Sequence, residues 1–173
     1  MTEISLARIR FVTCNDFISN AIRFGERDGW ATHAEAVLPD GSLLGAHLDG
    51  GVQIRTAGYD KATMTRELLV PIDLGVDQVS VPPHPPVKSA ERSAAFYAFL
   101  HAQVGKPYDV TAVAGLALDR DWRKAESWFC SELVAAALEH CGYLPKLATP
   151  DNHVSPRDLL LVLSGRISIP NAA

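Results

Sequence analysis

Trp128-Phe129-Cys130-Ser131-Glu132-Leu133-Val134 decides how this chain is read, because a cysteine there opens an apolar helical run that continues to Cys141. Cys130, Leu133, Val134, Ala137, Leu138 and Cys141 recur at helical spacing and form one stripe, which Gly142 ends. Cys130 therefore faces inward at the first turn. A thiol in that place sits near backbone N–H groups that have no acceptor within the helix, and near the positive end of the helix dipole. Both favour thiolate over thiol. With a histidine base supplied from elsewhere in the fold, Cys130 is a nucleophile; without one it is a small buried residue, as free cysteine commonly is.

Six histidines are available as that base. His33 opens the run His33-Ala34-Glu35-Ala36-Val37-Leu38, and the turn Pro39-Asp40-Gly41-Ser42 leads into Leu43-Leu44-Gly45-Ala46-His47. An Asp-Gly pair between two apolar runs predicts a β-hairpin. Side chains alternate along a strand, so His33 and Glu35 share a face, and His47 on the return arm can approach His33 across the pair. A histidine with a carboxylate two positions along is either an oriented base or one half-exposed polar face. His84, His101, His140 and His153 read as surface or turn residues, and no histidine pair has a metal-ligand spacing in sequence.

Working outward, Leu6 to Val12 alternates apolar with basic residues and predicts a half-buried strand at a sheet edge. Asn15 and Asp16 cap a short helix ended by Gly25. Val52 to Thr56 and Glu67 to Ile72 predict further strands, so the first half is mostly antiparallel sheet. The prolines at 82, 83, 85 and 86 make a stiff connector. From Ser89 to Val104, residues Ala90, Ala94, Phe96, Tyr97, Leu100 and Val104 approximate one helical face closed by Gly105. Ser155 and Pro156 begin another helix through Leu163, and Ile167 to Ile169 adds a short strand. Cys14 and Cys141 read as structural.

The whole chain of 173 residues fits one domain of α+β class. Its net charge of -4, with no Lys/Arg cluster, argues against nucleic acid as a partner. No charged-then-apolar leader with a small-residue cleavage site opens the sequence, so no signal peptide is read and a cytoplasmic location is expected. The apolar run from Val110 to Leu118 is too short to span a bilayer, so no integral membrane segment is expected. Oligomeric state is left open by the sequence.

Val104-Gly105-Lys106-Pro107-Tyr108-Asp109, then Phe129-Cys130-Ser131-Glu132-Leu133-Val134 and Gly142-Tyr143-Leu144-Pro145, resemble the nucleophile region of the NlpC-type papain-like cysteine hydrolases. Because His33 precedes the cysteine, the order resembles the circularly permuted branch, which includes YiiX-like and YebB-like bacterial proteins and relatives of lecithin retinol acyltransferase. The resemblance implies a permuted papain-like α+β fold, Cys130 as nucleophile, His33 as general base, and Tyr108 beside the cysteine, with Ser131 in the oxyanion and substrate pocket. It implies an acyl-enzyme hydrolase that needs no metal or organic cofactor and acts on a small peptide or acyl substrate. The family usually places a third polar residue where this chain has Gly45, so Glu35 is expected to orient His33, with His47 as the alternative. Amide hydrolysis of a cell-wall-type peptide leads. A lipid-directed thioesterase or acyltransferase, with 110–118 lining an acyl pocket, and a non-catalytic binding module stand as alternatives.

Overall fold

The computed structural model describes residues 6–14, 20, 30–60, 62–72, 89–111, 126–146 and 154–165. Five strands, β1 (Ala7–Thr13), β2 (His33–Val37), β3 (Leu43–His47), β4 (Gly51–Arg55) and β5 (Met64–Val70), form one open antiparallel sheet in the order β4-β3-β2-β1-β5. The described helices are α1 (Ser89–Ala102), α2 (Cys130–His140) and α3 (Pro156–Ser164). The class is therefore α+β.

Alternation sorts the sheet into two faces. Ile9, Phe11, Ala34, Ala36, Leu44, Ala46, Val52 and Leu68 belong to the core, which they share with Phe96 and Leu100 of α1 and with Leu133, Val134, Ala137 and Leu138 of α2. Each fully buried Leu or Phe there contributes about 1.5–3 kcal/mol relative to exposure. Helix α2 packs on β2 and β3 and also against α1, so it is buried almost all round from Cys130 to Leu138. Its three consecutive alanines, 135–137, present little bulk to those neighbours on either side.

The hairpin forms where the Asp-Gly pair predicts it. Gly41 adopts φ +85°, which a side chain would resist, and Asp40 accepts hydrogen bonds from the Ser42 N–H at 2.9 Å and hydroxyl at 2.6 Å. Helix α2 ends at Cys141 and Gly142 (φ +75°), and Ser155 caps α3 by accepting from the Asp158 N–H at 3.1 Å.

Two expectations need correction. Strand β1 is not an edge: it lies between β2 and β5, pairing Arg10 with Glu35 on one side and with Glu67 on the other. Its alternating arginines resemble a solvent-facing row, but Arg10 is buried and its charge is met by protein carboxylates instead of water. On α1 the buried line runs through Arg92, Phe96, Leu100 and Gln103, while Ala94 and Val104 are exposed. The expected face is rotated because a polar Arg and Gln occupy buried positions. The expected helix from Asn15 to Gly25 (Asn20 apart), the proline connector, most of 110–118 and the strand at 167–169 fall outside the described residues.

Candidate active site

The β2–β3 register pairs Ala36 with Leu44 and Val37 with Leu43. Continued back along both strands, it sets Glu35 opposite Gly45 and His33 opposite His47, all at positions that alternate with the core residues Ala34, Ala36, Leu44 and Ala46. The start of β2 is pinned by β1, since the Thr32 N–H donates to the Val12 carbonyl at 2.8 Å and the Thr13 hydroxyl donates to the Trp30 carbonyl. Gly45 has a specific consequence here. A Cβ at that position would stand 2.9 Å from the Glu35 Cβ, 3.4 Å from His47 Nε2 and 3.5 Å from His33 Nε2. The missing side chain at 45 is what leaves room for the three polar ones.

Glu35 is fully buried. Its Oε1 pairs with Arg10 at 2.5 Å, and Arg10 also pairs with Asp60 at 3.0 Å. Its Oε2 accepts from the Tyr59 hydroxyl at 3.1 Å and faces both histidines, with His33 Nε2 at 3.6 Å and His47 Nε2 at 3.8 Å. Those two separations exceed a hydrogen bond, so the His33–Glu35 contact is an ion pair. Neither Nε2 has a hydrogen-bond partner among the described residues.

The pocket divides charge between its two histidines. Burial works against a charged His33, but the Cys130 sulfur and Glu35 outweigh it and push its pKa up to about 10. Burial likewise opposes the Glu35 anion, yet His33 and Arg10 hold it down at about 2. His47 goes the other way: burial, then the neighbouring His33 charge, lower it to about 3. Tyr59 is pushed upward by burial and by Glu35 and Asp60, so it keeps its proton as a donor. That proton goes to Glu35. At 3.3 Å from His47 Nδ1 the same hydroxyl can therefore only accept, which places the His47 proton on Nδ1 and leaves Nε2 a bare lone pair.

Cys130 is the first residue of α2 and is fully buried. The first helical bond runs from the Leu133 N–H to the Phe129 carbonyl at 3.0 Å, and the Glu132 carboxylate reaches back to the Phe129 N–H at 3.1 Å. His33 and Cys130 both stand at the beginnings of their elements, and the Cys130 sulfur is near enough to the His33 ring to raise its pKa.

The segment Gly105-Lys106-Pro107-Tyr108 joins the sheet to this cysteine. The Gly105 N–H donates to the Val52 carbonyl and the Val52 N–H to the Lys106 carbonyl, both at 2.8 Å, so the strap docks on the β4 edge. A Cβ on Gly51 would collide with the Lys106 carbonyl, so the close approach requires glycine. Beyond the strap, the Trp128 N–H donates to Pro107 and the Asp109 N–H to Trp128, both at 3.0 Å. Tyr108 thus lies beside Trp128, with its ring 6.0 Å from that of Phe129.

Ser131 has a structural tie. Its buried hydroxyl donates to the Val154 carbonyl at 2.6 Å, tying α2 to the segment before α3. Cys141 is buried with its sulfur 3.3 Å from the Leu138 carbonyl, within the core. Arg10, Tyr59 and Asp60 are neighbours of this cluster that sequence reasoning missed. Only the β1 alternation hinted at Arg10, and nothing local to 59 and 60 pointed to Glu35. No helix of the described residues is long and apolar enough to cross a membrane. Neither a family model nor any curated protein matches the chain.

Chemically, the arrangement offers a sulfur beside a cationic imidazole, backed by a buried carboxylate. It also offers metal-ligand atoms: one each from His33, Glu35 and His47, all within 4.8 Å of one another.

Proposed function

We propose that the chain is a cysteine hydrolase of permuted papain-like type that cleaves an amide, with a small cell-wall-type peptide as the leading substrate class. The observation that carries this reading is a buried Cys130 at a helix start whose sulfur raises the pKa of the His33 ring, with His33 Nε2 facing the buried Glu35 carboxylate at 3.6 Å. The Cys130 thiolate attacks the carbonyl carbon, and the His33 imidazolium gives its proton to the leaving nitrogen as the C–N bond breaks. Water then attacks the thioester, His33 takes the proton from that water, and the acid product leaves with Cys130 restored. The first-turn N–H of Cys130 and the Tyr108 hydroxyl are the groups proposed to hold the oxyanion. Glu35 stabilises the charged ring in the role of a third catalytic residue. That Glu35 fills the room beside Gly45 favours catalysis over a scaffold that has lost its third residue.

The test is turnover of small muropeptide amides, with acyl thioesters as the second arm. Amide cleavage by the wild type should fall about 10³-fold or more in Cys130→Ala and in His33→Ala. Faster turnover of thioesters than amides would move the reading to the lipid-directed branch. Undiminished cleavage in folded Cys130→Ala would overturn it.

A further inference from the structure

We propose that His33, Glu35 and His47 form a binding site for one divalent transition-metal ion of the Zn²⁺ class, in the pocket that Gly45 opens. Three observations converge on it. First, the two Nε2 atoms are buried and have no hydrogen-bond partner among the described residues, although both are aimed at the same Glu35 oxygen, at 3.6 and 3.8 Å. A buried polar nitrogen left so is costly, and a cation between the three atoms satisfies all of them at once.

Second, two of the three ligand–ligand edges are near metal-ligand spacing, and all three atoms lie within 4.8 Å of one another. Donors about 2.0–2.1 Å from a tetrahedral Zn²⁺ lie roughly 3.3–3.4 Å apart, so a closure of a few tenths of an ångström suffices at the two nitrogen–oxygen edges. Third, the surroundings prepare two of the three ligands. His47 is 6% exposed, and the Tyr59 hydroxyl, accepting from its Nδ1–H, aims the Nε2 lone pair into the pocket. Arg10 holds Oε1 of Glu35 and leaves Oε2 facing inward. Gly45 keeps the space before both nitrogens open, since its Cβ would stand within 3.5 Å of each.

The ion enters as His33 releases its Nε2 proton to solvent. The metal-bound ring then carries only its Nδ1 proton. The metal site itself does not depend on the hydrolase reading, because binding is read on Zn²⁺ and not on turnover.

Zn²⁺ titration of the metal-free protein against a chromogenic chelator should give one ion per chain. Affinity should fall at least about tenfold in His47→Ala and Glu35→Gln, and about 10–100-fold in Tyr59→Phe, which removes only the group behind a ligand. Cys130→Ser should bind within about threefold of wild type. Should those variants fail to fold by circular dichroism, Co²⁺ loading of the wild type decides. Visible d–d bands without an intense sulfur-to-cobalt charge-transfer band support the site. Failure of the wild type to bind, binding undiminished in folded His47→Ala, loss confined to Cys130→Ser, or a strong thiolate band would overturn it.

Discussion

Gly45 does the most with the fewest atoms. On a polar strand face an alanine would ordinarily be neutral, but here its Cβ would press on the Glu35 Cβ at 2.9 Å and crowd both histidine rings. Gly45→Ala is therefore expected to cost about 1–3 kcal/mol of stability through overpacking, read as a lower urea midpoint with an unchanged slope. A variant as stable as the wild type would mean that Glu35 has other room to occupy. The same contact explains how Glu35, on the strand before the expected third position, comes to stand behind His33. The sequence supplied the absence at 45 and a carboxylate two residues from His33. Which of Glu35 and His47 takes the charge came from burial and from Arg10 and Tyr59, which no local pattern reveals.

At the scale of elements, the site is assembled by two short connections. The β2–β3 hairpin fixes four of its residues through register, and the strap from Gly105 to Tyr108 fastens the β4 edge to the start of α2. Gly51→Ala should break the second connection. It forces a side chain into φ +73° and against the Lys106 carbonyl, for a loss of about 2 kcal/mol or more in chemical denaturation. An unchanged midpoint would show that the strap is not needed to hold β4. The hairpin, α2 and α3 were legible because turn, stripe and cap residues are local signals. The place of β1 was not, because charges paired inside a protein and charges facing water leave the same alternation. The rotated face of α1 was missed for a related reason: Arg92 and Gln103 are polar residues at buried positions.

Across the whole molecule, an antiparallel sheet shares its apolar positions with the helices in the core, while the alternate positions of β1, β2 and β3 carry a buried ionic cluster. The proposed role sets Cys130 apart chemically from the other two thiols, and the chain contains its own control. Cys130 and Cys141 are equally buried, at the start and the end of the same helix, but Cys130 lies near a charged imidazole while the Cys141 sulfur lies 3.3 Å from the Leu138 carbonyl. Cys14 is partly exposed. The most direct measurement is the rate of alkylation of each cysteine by iodoacetamide near neutral pH, followed by peptide mass spectrometry on the native protein. Cys130 should react faster than both Cys14 and Cys141, and should lose that advantage by about tenfold or more in His33→Ala. A Cys130 that reacts no faster than Cys14 or Cys141, or whose rate is untouched by loss of His33, would contradict the account.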